Sequence, residues 1–428
     1  MAAPSYRAKH VLHRLLGRVS PEDRIKDLLP RSPDDEPLPP RLPGCTDLSE
    51  ESCRKRRDML KGQGIALEKL SVGQSDSQAA GLSGNIESFV GFARIPVGVI
   101  GPLRVNGTYA HGDFYVPMAT AEGALVASYN RGAAVVSHAG GVSAICLTES
   151  VSRAPCFGFA NLAEAGQFLA WVLPQVESLQ DIVSGTSSHC RLIDVKTTIT
   201  GKEVYLIFEF TTGDAAGQNM VTIATEAICQ ALLRETPITP RKWYIEGNMS
   251  GDKKATMLSY IFTRGKDVVA EAVIPEKLIQ RFLHAAPEDL VHYWQVSTLG
   301  GIQSGSIGVQ GHYANALAAI FIACGQDAAC VSEAAVGLTR MDLTEDGALY
   351  VSVKLPNLIV GTVGGGTRLS TARECLEMMG CHGEGRARKF AEICAATALA
   401  GELSIIGSMA AGDFTAAHAT YGRRPPED

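Results

Sequence analysis

None of the eleven cysteines of this 428-residue chain stands in a C-x-x-C pair; the nearest spacings, Cys324 to Cys330 and Cys375 to Cys381, each leave five residues between. The common zinc and redox spacings are therefore excluded, and with no secretory signal the thiols read as reduced, in a cytoplasmic protein. No run approaches the ~20 uninterrupted apolar residues of a membrane helix. The longest, such as "ANALAAIFIACG" at 314–325, suit a buried helix instead. Net charge is −6, so no basic excess favours nucleic acid or an anionic membrane. The two common nucleotide fingerprints are missing as well: no G-x-G-x-x-G follows a strand, and no G-x-x-x-x-G-K precedes Ser or Thr. Any nucleotide has to be held by other means.

Apolar content of 46% and 44 glycines describe a glycine-rich globular enzyme. At roughly 100–200 residues per domain the chain has room for two or three. The first 20 residues are basic and acid-free, which suits an amphipathic N-terminal helix and faintly resembles a transit peptide. Proline and charge dominate 31–44, and Ser49 followed by acids and then bases predicts a capped helix complementing its own dipole. From 85 the composition turns to Gly, Ala, Val and Ile. Between about 155 and 245 the periodicity reads strand, helix (162–178), two strands around the Thr200–Gly201 turn, helix (215–235) and strand, the split βαββαβ plan. Long helical patterns follow at 312–337 and 385–411.

Three segments could carry chemistry. "GNMSGDKKATM" (247–257) sets Asp252, Lys253 and Lys254 side by side behind two glycines, a loop reading, because helix pairs of opposite charge sit three or four apart. "GDAAGQNM" (213–220) opens a helix whose free N–H groups suit an anion. "GTVGGGT" (361–367) permits close backbone approach. Glu122, Asp327 and Glu402 are lone carboxylates in apolar sequence, where burial without a partner is expensive. His418 lies near the C-terminus. Taken singly, each has a structural reading: a solvated turn, a tight glycine turn, a satisfied core carboxylate, a spectator histidine.

Taken in order, "IPVGVIGPL", "MATAEGALVAS", "GDAAGQNM", "SGDKK", "GSIG", "IACGQDAA", "GTVGGGT" and "AGELS" resemble the hydroxymethylglutaryl-coenzyme A (HMG-CoA) reductase family over about 85–421. The likeness is to the eukaryotic and archaeal, class I, type without its membrane-anchoring region. The resemblance implies an α+β fold: a large mixed helical and sheet domain (85–154 and 245–402) built around a central helix, an inserted ferredoxin-like cofactor-binding domain (155–244), an N-terminal helical region (1–84) and a C-terminal helical flap (403–428). It implies reduction of a thioester to an alcohol in two hydride transfers from NADPH, with NADH possible, no metal, and coenzyme A within substrate and product. Lys253 matches the cation on the reacting carbonyl, Glu122 the proton donor, Asp327 the aspartate between them and His418 the acid for the coenzyme A thiolate. Arg153, Asp252, Lys254, Ser306 and Asn315 match substrate contacts. Ser128, Asn130 and Arg131 match the coenzyme A turn. Ser187, Ser188, Asp214, Gly217, Gln218 and Asn219 match cofactor contacts. A homodimer or dimer of dimers is implied, with no nucleic acid partner and no membrane segment.

The chain also departs from the family. Glu246 stands where the family usually has serine, Val296 where mammalian members have lysine, and Ser188 where an arginine often meets the 2′-phosphate. Arg424 replaces the mammalian phosphorylatable serine, and Ser88 a usual asparagine. Glu246 is expected to turn away and pair with Arg241 or Lys242, leaving the acid pocket ordinary. The competing readings are a reductase of a different acyl-coenzyme A and a non-catalytic nucleotide-binding relative. The latter has no reason to retain Glu122, Lys253, Asp327 and His418 together.

Overall fold

The structure, a computed structural model, describes residues 43, 47–62 and 82–412. His418, Arg424 and the basic N-terminus therefore lie outside the described residues. The chain divides into two compact units, 1–92 and 93–428. In the first, α1 (Glu50–Gly62) starts as its sequence predicts. The Ser49 hydroxyl accepts from Ser52 N at 3.3 Å, the Asp47 carboxylate accepts from Ser49 N at 2.8 Å, and Glu50, Glu51 and Lys61 complement the helix dipole. Arg56 donates to the carbonyls of Asp47 and Phe89.

The second unit is organised by one sheet. Hairpin β1 (Val97–Gly107) and β2 (His111–Ala119) leads into α2 (Leu125–His138) and β3 (Val142–Arg153). Next come β4 (Cys156–Gly158), α3 (Leu162–Val172), α4 (Val176–Ser184), β5 (Arg191–Thr200), β6 (Glu203–Thr211), α5 (Gln218–Glu235) and β7 (Lys242–Tyr244). Then follow β8 (Gly265–Ile274), α6 (Glu276–Leu283), α7 (Pro287–Ser304), α8 (Tyr313–Ala323), α9 (Val331–Ala334), β9 (Leu338–Leu343), β10 (Leu349–Leu358), α10 (Ser370–Met378) and α11 (Ala387–Ala410). The sheet order is β7-β4-β6-β3-β8-β10-β9, with β5 on β6 and β1 on β3. Strand β3 joins the two halves: residues 143–150 pair with β8, and 151–153 pair with β6. Within 155–244 the strands run β7-β4-β6-β5, each pair antiparallel.

Two helical expectations are corrected. The pattern at 162–178 breaks at Leu173–Gln175, a short 3-10 turn holding Pro174, which lacks the N–H a continuing helix needs. The pattern at 312–337 is not one helix either: α8 stops at Ala323, and Gly325 takes a φ of +65, which few other residues adopt. The 3-10 turn Ala328–Cys330 and the one-turn α9 follow. This break turns Asp327 out of the helix.

Helix α11 is the core. It is long and apolar enough to cross a membrane, yet 83% of its most apolar stretch is buried inside the protein. It also runs unbroken through 402/403, the boundary expected for a C-terminal flap. Two fully buried carboxylates on it anchor loops. Glu392 accepts from Tyr109 N (2.8 Å), Ala110 N (2.7 Å) and Cys146 N (3.1 Å). Glu402 accepts from Gly311 N (2.7 Å), His312 N (2.8 Å) and the Thr339 hydroxyl (2.8 Å). Glu402 is thus a satisfied core carboxylate whose work is to hold the turn before α8, leaving the other lone carboxylates as candidates for chemistry.

Candidate active site

The Asp252–Lys254 loop leaves β7 and returns to β8, and buried charge holds it. Arg264, at the mouth of β8 and only 2% exposed, places Nη1 at 2.6 Å from both oxygens of Glu333 on α9, itself fully buried. Its Nη2 donates to Gln218 Oε1 at 2.7 Å and stands 2.9 Å from Asp252 Oδ1, close enough for an ion pair but not aligned for a hydrogen bond. Its backbone N–H donates to Asn357 Oδ1 at 2.9 Å. Glu333 Oε1 also accepts from Lys253 N at 3.2 Å, which fixes Lys253 at a φ of +56. Arg153 closes the other side, its Nη1 at 3.1 Å from Asp252 Oδ2.

The backbone is held from inside, and the side chain of Lys253 faces solvent. Its Nζ meets Asp327 Oδ2 at 2.9 Å, with the two side chains 44% and 41% exposed. The hydrogen bond to Asp327 raises the Lys253 pKa above its ordinary 10.5, against a smaller opposing effect of burial. For Asp327, partial burial pushes upward, but the hydrogen bonds from Lys253 and Ala329 N outweigh it and leave the carboxyl below 3.8. Asp252 is likewise lowered: burial raises it, and Arg264 and Arg153 together overcome that. Glu333 is raised, because its burial outweighs Arg264. Lys254 is exposed, with Nζ donating to Asp252 O at 2.8 Å.

Glu246 does not turn away toward Arg241 or Lys242. Its Oε2 lies 3.4 Å from Arg153 Nη1 and accepts from Ala154 N at 3.3 Å, while Oε1 accepts from Asn248 N at 2.7 Å. The reason is geometric: β7 and β4 pair antiparallel, which carries the chain just past β7 back beside the end of β3. Arg153 Nη1 therefore serves two carboxylates of its own chain.

Glu122 and Asp327 are both exposed, contrary to their apolar sequence surroundings. Glu122 accepts from Asn315 Nδ2 at 3.2 Å, near the start of α8. Asp327 follows the other end of that helix, and at 1.5 Å per residue about 12 Å of helix separates Asn315 from its C-terminus. Among the described residues, no hydrogen bond or ion pair joins Glu122 to Lys253 or Asp327.

Four of the six cofactor candidates, Asp214, Gly217, Gln218 and Asn219, lie where α5 begins. Gly217 is its N-cap at a φ of +83, with no side-chain cap, and a Cβ there would meet Thr212 Cγ2 at 2.4 Å. Only glycine fits, and the uncapped N–H groups with exposed Asn219 suit an anionic group such as a pyrophosphate. The Asp214 carboxylate is already engaged, accepting from Gly385 N (2.7 Å) and Ala387 N (3.0 Å) at the start of α11. The two glycine-rich segments meet here: Thr362 N donates to Asp214 O at 2.8 Å, and a Cβ on Gly361 would lie 2.5 Å from Ala216 N. Ser187 caps its own turn, accepting from His189 N, and Ser188 is exposed. Gln218 faces inward, binding Arg264 and donating to Cys330 Sγ at 3.3 Å.

The coenzyme A candidates on α2 hold neighbouring elements. Ser128 Oγ is 3.0 Å from Ser404 Oγ, Asn130 Oδ1 accepts from Gly101 N at 3.0 Å, and Arg131 donates to Ser404 O at 2.8 Å. Ser306 and Val296 are exposed, the first just beyond α7 and the second on it. Sequence reading missed Arg264 and Glu333. Glu333 was findable by the argument applied to Asp327, a carboxylate in the apolar run "ACVSEAAVG".

Comparison with known proteins finds relatives over most of the chain. Residues 52–423 match the family model described as hydroxymethylglutaryl-coenzyme A reductase. The chain is 43% identical to the 3-hydroxy-3-methylglutaryl-coenzyme A reductase of Pyrococcus horikoshii over 377 residues, 86% of this chain and 91% of that one. It is 40% identical to that of Methanocaldococcus jannaschii, over 86% of this chain and 92% of that one. In fold it is similar to a class II 3-hydroxy-3-methylglutaryl-CoA reductase from Streptococcus pneumoniae, solved bound to NADPH in open conformations. That likeness has a TM-score of 0.61 at 19% identity, covering 83% of this chain and 96% of that one. With the family model spanning most of its length and relatives above 40% identity, the chain belongs to the hydroxymethylglutaryl-coenzyme A reductase family.

Proposed function

We propose that the chain reduces HMG-CoA to mevalonate and free coenzyme A, drawing two hydrides from NADPH, with NADH as a possible substitute. The observation that carries the reading is the Lys253–Asp327 pair, solvent-facing on a loop whose backbone is pinned by buried charge. The nicotinamide, when bound, supplies hydride to the carbonyl carbon. Lys253 steadies the oxygen as it gains negative charge, and a preorganised cation there contributes roughly 3–4 kcal/mol. Asp327, kept ionised, holds the ammonium charged and aimed. Glu122, oriented by Asn315, donates the proton to that oxygen. His418 protonates the departing thiolate. Arg153 and Lys254 take the substrate's acidic end, Ser306 and Asn315 line its path, and Ser128, Asn130 and Arg131 border coenzyme A. The uncapped start of α5, with Asp214, Gly217 and Asn219, holds the dinucleotide, and Ser187 and Ser188 face its ribose end.

A homodimer completes the site. Glu122 meets the start of α8 through Asn315, and Lys253 meets Asp327 just past its other end, so a second copy supplies the partner group. Ten cysteines lie among the described residues and all are free, which suits a reducing compartment such as the cytoplasm. Glu246 beside Arg153 favours one rival, a reductase of a thioester without the acidic end.

The test is nicotinamide oxidation by the purified chain with HMG-CoA, NADPH and NADH in parallel. Two nicotinamides consumed per coenzyme A released is the expected result. Turnover only with thioesters lacking a carboxylate would favour the rival, and no turnover with any thioester would remove the enzymatic reading. Sedimentation at assay concentration should find a dimer, and a fully active monomer would refute the shared site.

A further inference from the structure

Arg264 touches neither the exposed Lys253–Asp327 pair nor solvent, and none of the family motifs quoted above contains it. Yet the Lys253 loop, the first turn of α5 and α9 meet at its guanidinium. One nitrogen grips Glu333, which in turn accepts the Lys253 backbone N–H. The other is shared by Asp252, one residue earlier in the loop, and by Gln218, the first residue of α5. Gln218 donates onward to Cys330, three residues past Asp327. Three segments distant in sequence, 252–253, 218 and 327–333, are thus tied through one rigid planar fork.

A fork of this kind is specific to arginine. Its donors lie in fixed directions in one plane, whereas a lysine ammonium is a compact point charge on a flexible stem. The charges also favour a hub: two buried cations, Arg153 and Arg264, face three carboxylates, Asp252, Glu246 and Glu333, so the cluster carries an excess negative charge beneath the Lys253 ammonium.

We propose that Arg264 is a positioning residue that sets the Lys253 loop and the first turn of α5 in one register, so that cofactor seating and carbonyl activation are coupled through it. The proposal rests on the reductase reading of the same site. Its consequence is a split in the kinetics: disturbing the fork harms nicotinamide binding and turnover together, while the acyl end, held by Arg153 and Lys254, is largely spared.

The experiment compares wild type, Arg264→Lys, Gln218→Met and the double variant. It measures kcat, KM for HMG-CoA, KM for NADPH and, with no thioester present, NADPH affinity by fluorescence titration. Arg264→Lys keeps a cation against Glu333 and so avoids an unpaired buried carboxylate; its folding is checked by thermal melting. The expected result is a folded variant with kcat down 10- to 100-fold, NADPH affinity weakened at least fivefold, and KM for HMG-CoA within threefold of wild type. Gln218→Met should weaken NADPH as well, and the double variant should lose at least fivefold less than the product of the two single losses. Unchanged NADPH affinity in Arg264→Lys, or strictly multiplicative losses, would overturn the coupling. The fluorescence titration needs no turnover and the wild-type rates are read alongside, so failure of the reductase reading is distinguishable from failure of this one.

Discussion

Replacing Glu246 by glutamine removes one negative charge and almost no volume, and the expected outcome is tighter binding of HMG-CoA. In the structure the Glu246 carboxylate shares Arg153 Nη1 with Asp252, at 3.4 and 3.1 Å. An incoming carboxylate seeking Arg153 therefore meets two anions already there. Placed about 6 Å from Glu246, at an effective dielectric of about 20, it would feel a repulsion of about 3 kcal/mol. The Glu246 side chain is 24% exposed, so solvent screening reduces this to about 1–2 kcal/mol. That corresponds to a KM for HMG-CoA lower by roughly five- to thirtyfold. Stability should change little, because the amide oxygen still accepts from Ala154 N or Asn248 N, and losing one such bond costs about 1 kcal/mol. The assay is initial rate against HMG-CoA at saturating NADPH, repeated in 0.5 M salt, where the gain should shrink. A folded Glu246→Gln variant with unchanged or raised KM would show that the substrate's acidic end does not approach Arg153.

Three further outcomes follow from the site. Lys253→Met should lower kcat about 10²–10³-fold with little change in KM, and Asp327→Asn should move the alkaline limb of the kcat profile to lower pH, since Asp327 is what raises the Lys253 pKa. The sign is fixed at both ends: the lowered Asp327 gives its stabilisation above 3.8 and loses it as pH falls through its folded value, and the raised Lys253 gives its share below 10.5 and loses it as pH rises past its own. An alkaline limb unmoved in Asp327→Asn would separate that limb from Lys253. Gly217→Ala, at a φ of +83 and 2.4 Å from Thr212, should cost about 1–3 kcal/mol in thermal unfolding and raise KM for NADPH, and a variant as stable as wild type would contradict the strain argument.

Much of the fold was legible because its signals are local. Alternation along 191–200 and 203–211 around one glycine turn gives a hairpin whatever the surroundings, and Ser49 with its acids and bases announces α1. The helical pattern over 312–337 is broken for a local reason, a glycine in positive φ at 325. Lone carboxylates in apolar sequence were the ambiguous case. Glu402, Glu122 and Asp327 look alike as letters; one proves to be a loop anchor on the core helix and two face solvent, a difference set by which side of a helix or break each falls on.

The arrangement of charge around the loop was illegible for a different reason. Arg153 to Glu246 and Arg264 to Glu333 span 93 and 69 residues, so local spacing carries no trace of them. Nearest in sequence, Glu246 has Arg241 and Lys242, and a local rule pairs it with them. The sheet decides otherwise, since β4 pairs with β7 on one side and β6 on the other, and β6 pairs in turn with the end of β3. The same topology explains why Lys253 and Lys254 can stand together on a glycine-flanked turn. The buried cluster below them is short of positive charge by one, so the lysines that look excessive beside one Asp252 are balanced by that single excess charge and by Asp327. On that argument, removing Glu246 eases the substrate's carboxylate toward Arg153 while leaving in place the Asp327 hydrogen bond that raises the Lys253 pKa, so tighter binding should come with an unmoved alkaline limb.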